Sequence, residues 1–155
     1  KGIKYVVVAS NTGATAELFA DKGFEVICVT HVNGFANPGE NEMTAESRGK
    51  LEGMAIKVLT TTHVLSGAER AFSSKFGGIY PVEIIANTLR MFGQGVKVGV
   101  EIATMALDSG LIPYGVSIIA VGGSGRGADS AIVLKPAHAK DILNTRIEEI
   151  ICKPI

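Results

Sequence analysis

The sequence predicts an α/β fold: a three-layer, open, mostly parallel sheet with helices on both faces. Three observations predict it. Short apolar, β-branched runs alternate with helix-like segments. The runs show no polar alternation, as expected of parallel strands covered on both faces. Each run ends in a polar or glycine-rich turn. At 155 residues the chain is long enough for one self-sufficient core, so residues 1–155 are read as a single domain.

The first strand is Tyr5-Val6-Val7-Val8-Ala9, followed by the turn Ser10-Asn11-Thr12-Gly13 and a helix over 14–22 that stops at Gly23. A second buried strand covers 25–30. Residues 31–41 form a Gly/Asn/Pro loop, and 43–54 a helix with Thr44 or Asn41 as its cap. A third strand covers 56–59. Pro81 suits a first helical turn, so a helix is predicted over 81–92, with Val82, Ile85, Leu89 and Phe92 on one stripe. A further helix over 97–109 is apolar on most sides, with a narrow polar line of Glu101, Thr104 and Asp108. Such a helix is either central or covered by a partner subunit. A strand over 116–121, a Gly-rich loop over 122–130 and a strand over 131–134 follow. Residues 146–152 read as an edge strand, because Glu148 and Glu149 interrupt it. Lys1-Gly2 before the first strand resembles a helix end, which suggests that a strand and helix precede it in a fuller sequence.

Composition excludes several classes of function. Fifteen basic and fifteen acidic residues give a formal net charge of zero, which argues against a basic footprint for nucleic acid or an anionic membrane. With no Trp, three Tyr and six Phe, a base-stacking platform is not expected. A charged fraction of 19% does not suit a disordered chain. Lys97, Glu101 and Asp108 interrupt the longest apolar stretch, so no membrane span is expected, and the default setting is cytoplasmic. Cys28 and Cys152, the two cysteines, make neither a disulfide framework nor a zinc site. Cys28 reads as a buried small hydrophobe, with a reactive thiol as the alternative.

In an open parallel sheet, ligands bind outside the carboxyl ends of the strands. Four segments fall on that rim: 10–15, 30–35, 60–63 and 122–129. In the first, Ser10, Asn11, Thr12, Gly13, Ala14 and Thr15 set hydroxyls around a glycine that opens a helix. Exposed N–H groups there suit a phosphate, whereas an ordinary N-cap needs only one hydroxyl. The pattern is neither a P-loop nor a dinucleotide fingerprint. In the last segment, Gly123, Ser124, Gly125, Arg126, Gly127 and Asp129 suit either a backbone concavity around an anion or a flexible hairpin loop with Asp129 as a local cap. Thr30, His31, Phe35, Thr62 and His63 complete the rim. Phe35 either stacks on a planar ring or pins its loop to the core. His31, His63 and His138 have no metal-ligand spacing, so no metal is expected. Glu101 and Asp108, two turns apart, are too distant to share a proton and read as capping or subunit contacts. No nucleophile–base order is legible.

The turn 6–16, the stretch Ala106-Leu107-Asp108-Ser109-Gly110-Leu111-Ile112-Pro113 and the later Gly-rich loop resemble the C-terminal α/β domain of pyruvate kinase. Asn87-Thr88-Leu89-Arg90-Met91-Phe92-Gly93-Gln94-Gly95 and Leu134-Lys135-Pro136-Ala137-His138 extend the likeness over nearly the whole chain. They point to a stand-alone archaeal and bacterial family of proteins resembling that domain. The resemblance implies a bound FMN with its phosphate in the turn 10–15. Its ring would lie across the loops carrying Thr30, His31, Phe35, Thr62, His63 and residues 123–129. Kinase activity is not carried over, since the catalytic barrel is missing here. Nor is sugar-bisphosphate binding, since Asn11 stands where the kinase turn has lysine and there is no Trp. Two other roles stay open. One is an enzyme, a flavin oxidoreductase or one acting on a small phosphorylated metabolite, with His31 or His63 as acid/base. The other is a regulatory subunit that forms a homo-oligomer through the helix at 97–109.

Overall fold

A computed structural model describes residues 2–155; Lys1, one half of the expected helix end, lies outside them. Six strands form one sheet: β1 (Tyr5–Ala9), β2 (Glu25–Val29), β3 (Lys57–Leu59), β4 (Ile118–Gly122), β5 (Ser130–Lys135) and β6 (Arg146–Cys152). Their order across the sheet is β3-β2-β1-β4-β5-β6. β3, β2, β1 and β4 run parallel, and β5 and β6 pair antiparallel. The expected mostly parallel, open sheet is therefore present.

Alternation along β1 shows why both faces must be covered. Val6 and Val8 belong to one apolar cluster with Ala16, Met43, Leu51 and Ile56. Val7 belongs to the other, with Val96, Val100, Ala103 and Leu107. Helices α1 (Ala14–Glu17) and α2 (Ala45–Gly53) thus serve the first face. Helix α5 (Gln94–Asp108) serves the second, supported by α4 (Pro81–Arg90). This gives three layers.

Several elements depart from the sequence-based reading. The helix expected over 14–22 is a single turn. Beyond Glu17 the chain continues in tighter turns, with Phe19 N–H on the Ala16 carbonyl and Ala20 N–H on that of Glu17, and Asp21 ends it at φ 54°. α3 (Glu69–Phe76) was not expected; it buries none of its residues, so no apolar stripe announces it. α5 starts three residues earlier than predicted, at Gln94. Residues 95–107 of α5 are buried except Val98, and they pack on β1, β4, β5 and α4. The helix is therefore central, and its apolar surface is covered by this chain. The reading in which it forms a subunit contact is corrected accordingly. β6 lies where expected and is exposed throughout.

Candidate functional site

β1 is the point where the chain changes direction across the sheet. β2 and β3 lie to one side of it and β4 to the other. A crevice at such a switch point, outside the carboxyl ends of the strands, is where open α/β sheets place ligands. Register brings the rim segments into one row. Ala9 pairs with Val29 and Val29 with Leu59, while Val8 pairs with Val121. The residues that follow, Thr60, Thr30, Ser10 and Gly123, therefore stand side by side over roughly 14 Å, three strand spacings.

The turn after β1 is held from below. Ser10 N–H donates to the Val29 carbonyl at 3.0 Å, and the Cys28 thiol to the Ser10 carbonyl at 3.4 Å. Burial pushes the Cys28 thiol up to about 12, so it stays a protonated donor. The alternative of a reactive Cys28 is thereby corrected. Ser10 is 6% exposed, and its Oγ accepts Thr15 N–H at 3.2 Å. That bond ties the turn to the second residue of α1 and uses a lone pair of the Ser10 hydroxyl, not its proton. Gly13 adopts φ 93°, and a Cβ there would sit 2.9 Å from Leu51 Cδ1. Glycine lets the turn lie directly on α2. The N–H groups of Asn11, Thr12, Gly13 and Ala14 have no protein partner among the described residues, and Thr12 and Ala14 are exposed. These amides and the Thr12 hydroxyl lie in the turn after β1 at the switch point, with Gly13 itself buried.

On the β4 side of the turn, residues 123–129 join antiparallel β4 and β5, so the segment is a hairpin loop. It closes on itself. Asp129 N–H donates to the Gly122 carbonyl at 3.0 Å, and Asp129 Oδ2 accepts Ser124 N–H at 2.9 Å. Hydrogen bonds from Ser124 and Ser130 hold the Asp129 carboxyl below its usual range. Asp129 is thus the local cap that the hairpin reading expected, and the Ser124 amide is spent on it. Gly125, Arg126 and Gly127 remain exposed, and a Cβ on Gly125 or Gly127 would meet nothing within 4 Å. The Arg126 guanidinium has no partner among the described residues.

On the other side, the loops after β2 and β3 meet. The Arg48 guanidinium donates to Thr60 Oγ1 at 2.7 Å, Thr60 and Thr30 are 2.7 Å apart, and Thr30 Oγ1 donates to the His31 carbonyl at 2.8 Å. Each hydroxyl has one proton, so Thr60 must donate to Thr30. Thr30 is 3% exposed and orders the loop start rather than facing a ligand. His31 stacks on Phe35 with centroids 3.7 Å apart, and His63 lies 5.5 Å from His31 and 5.7 Å from Phe35. His31 Nδ1 meets Glu42 Oε2 at 2.5 Å. His63 Nε2 accepts Val32 N–H at 3.2 Å. Burial lowers the His63 pKa; Glu101 opposes this, and His31 and Lys97 add to it. Phe35 is 52% exposed, so it does not pin its loop to the core. Thr62 is exposed and joins none of these contacts. Asp108 and His138 pair at 2.6 Å, and Asp108 also accepts Ala139 N–H, a capping role. They sit at the far end of α5, about 20 Å from its first turn, so His138 is not part of this rim.

The residues that sequence reading missed are Arg48, Glu42 and Lys97; Thr60 belongs to the segment 60–63 already expected on the rim. Lys97 carried a visible signal: together with Glu101 it makes the opposite-charge i,i+4 spacing in an otherwise apolar helix.

Fold and rim define an open α/β protein with a turn of unpartnered backbone donors at its switch point. Residues 1–134 match the family model described as the pyruvate kinase alpha/beta domain, and the chain belongs to that family. The match takes in β1 to β4 and nearly all of β5; the 3₁₀ segment Ala139–Asn144 and β6 lie beyond it. No helix among the described residues is long and apolar enough to cross a membrane.

Proposed function

We propose that this domain binds a phosphorylated ligand carrying a planar ring, FMN above all, with its phosphate on the turn 11–15. One observation carries the reading: the unpartnered amides of Asn11, Thr12, Gly13 and Ala14 in the turn at the switch point. Oriented amides of this kind suit a dianionic headgroup. α1 is a single turn, so its macrodipole adds little and the amides themselves must do the binding. Thr12 and Thr15 hydroxyls and the Arg126 guanidinium on the facing loop extend the donor set. That set fits a phosphate ester. Exposed Phe35, stacked on His31, offers a face to a ring. When bound, FMN supplies redox chemistry; the chain's own contribution is to hold phosphate and ring.

FMN and riboflavin titrations, followed by flavin fluorescence, test the proposal. FMN is expected to bind at least tenfold more tightly, about 1.4 kcal/mol for the phosphate. Equal affinities reject the phosphate site, and no flavin uptake rejects the reading.

A second reading, acid–base chemistry on a small phosphorylated metabolite or through the flavin, draws on the His31–Glu42 pair at the rim. A carboxylate that orients an imidazole is a common arrangement for a general base. Turnover that survives both His31→Gln and His63→Gln ends it.

A further inference from the structure

Helices α3 and α4 line a cleft of about 420 Å³. Its base is apolar, where buried Leu65 and Ala86 line it. Its walls are polar: Arg70, Ser73 and Ser74 come from α3, and Glu83, Asn87 and Arg90 from α4. None of these residues belongs to the rim segments 10–15, 30–35, 60–63 and 122–129. α3 buries none of its residues, and polar ties join it to α4. Glu69 Oε2 accepts Glu83 N–H at 3.1 Å, and Ser73 Oγ donates to Glu83 Oε1 at 2.5 Å.

These ties leave the charges of the cleft unbalanced. Glu69 and Glu83 are engaged between the helices, and neither forms an ion pair with an arginine among the described residues. Arg90 donates through Nε to Gln94 Oε1 and through Nη1 to Asn87 Oδ1, each at 2.8 Å. That braces its fork and leaves the other N–H groups of the guanidinium open. The Arg70 guanidinium, on an exposed residue, has no partner among the described residues. Two cationic forks therefore face one glutamate, in a chain whose formal net charge is zero. Unspent guanidinium forks match the paired oxygens of a carboxylate or phosphate. The volume suits a small molecule rather than a lone ion. The second oxygen of Glu83 has no partner among the described residues and can accept a ligand hydroxyl.

We infer that Arg70 and Arg90 form a binding site for the oxyanion head of a small hydroxylated organic anion, with Glu83 taking its hydroxyl. The site shares no residue with the turn 11–15 and does not rest on the phosphorylated-ring reading. The oxyanion bridges α3 to α4 and supplies the counter-charge that Glu69 and Glu83 withhold. Arg70 carries the recognition, because its whole fork is unspent.

The test uses citrate and glycerol 3-phosphate, both hydroxylated, the first a carboxylate and the second a phosphate ester. Each is titrated by calorimetry into the full chain at low ionic strength, where exposed charges are least screened. Arg70→Gln removes the unspent fork. Since Arg70 has no side-chain partner to lose, the urea midpoint of this variant should match the parent's. Lys75→Gln is the control: it removes the same charge from an exposed residue of α3 outside the cleft. At least one of the two anions should bind the parent, bind Arg70→Gln about tenfold more weakly, and bind Lys75→Gln within about twofold of the parent. The anion whose uptake needs Arg70 identifies the headgroup, carboxylate or phosphoryl. If neither anion shows uptake that depends on Arg70, the inference is overturned. An equal loss in Lys75→Gln also overturns it, because general charge would then explain the binding.

Discussion

Gly95→Ala should destabilise the protein, and the reason lies where α5 crosses the β4–β5 hairpin. A Cβ on Gly95 would lie 2.6 Å from Asp129 Oδ1 and 2.6 Å from Ser130 Cβ, and closest of all to Ser130 Oγ. Ordinary contacts to a Cβ begin near 3.4 Å. Ser130 is 2% exposed and donates to Asp129 at 2.7 Å, so it has nowhere to swing without breaking the clasp that closes the rim loop. Overpacking of this kind costs about 1–3 kcal/mol. Alanine returns at most about 1 kcal/mol of helix propensity, and less at the second residue of a helix. A net loss of about 1–2 kcal/mol, roughly 3–6 °C in Tm for a chain of this size, is expected. The control is Gly49→Ala in α2, where a Cβ would meet nothing within 4 Å and φ is not left-handed. There only propensity acts, so a gain of about 0.5–1 kcal/mol is expected. Urea and thermal unfolding of both variants check the pair. A Gly95→Ala protein as stable as its parent would refute the steric argument, as would both variants shifting in the same direction.

Thr104 Oγ1 is buried without a hydrogen-bond partner, so Thr104→Val, a near-isostere, should raise stability by about 1 kcal/mol in urea unfolding. Burial depresses the His63 pKa, so the unfolded chain takes up a proton that the folded chain refuses. The stability this contributes is present above the unfolded value of about 6.5 and is lost as pH falls below it. Urea midpoints measured from pH 7.5 down to 5 should fall, and His63→Gln should flatten that slope; an unchanged slope rules out His63 as its source. Cys28 is buried with its thiol pushed up to about 12, whereas Cys152 is exposed. Under native conditions at pH 8, a thiol reagent should therefore label Cys152 alone, with Cys28 reacting only on unfolding.

How much was legible depended on whether the signal was local. The Tyr5-Val6-Val7-Val8-Ala9 run could belong only to a strand covered on both faces, and β1 is central with both faces buried. β6 was legible because its charges mark an edge. α3 was not, since a helix that buries nothing has no apolar stripe; its faint signals were Glu69 in the first turn, Lys75 in the last and Phe72–Phe76 one turn apart. Within the site, the grouping of turn, loops and histidines on one rim followed from strand order alone. Which polar groups are engaged did not: Ser10 Oγ accepting from Thr15, Ser124 N–H donating to Asp129 and Thr30 donating to His31 are matters of a few ångströms.

By itself, then, the order of apolar runs and glycine turns determined the layered α/β class and the edge of the sheet on which chemistry would fall, because strand periodicity and turn formation are near-neighbour effects. Only the tertiary structure decided that α5 is a central helix, not a subunit contact. It also buried the Lys97–Glu101 pair within α5 and set His63 beside His31 and Phe35. The burial of α5 and contacts such as Val32 with His63 or Leu65 with Glu101 join residues thirty or more positions apart, and no local pattern encodes that distance.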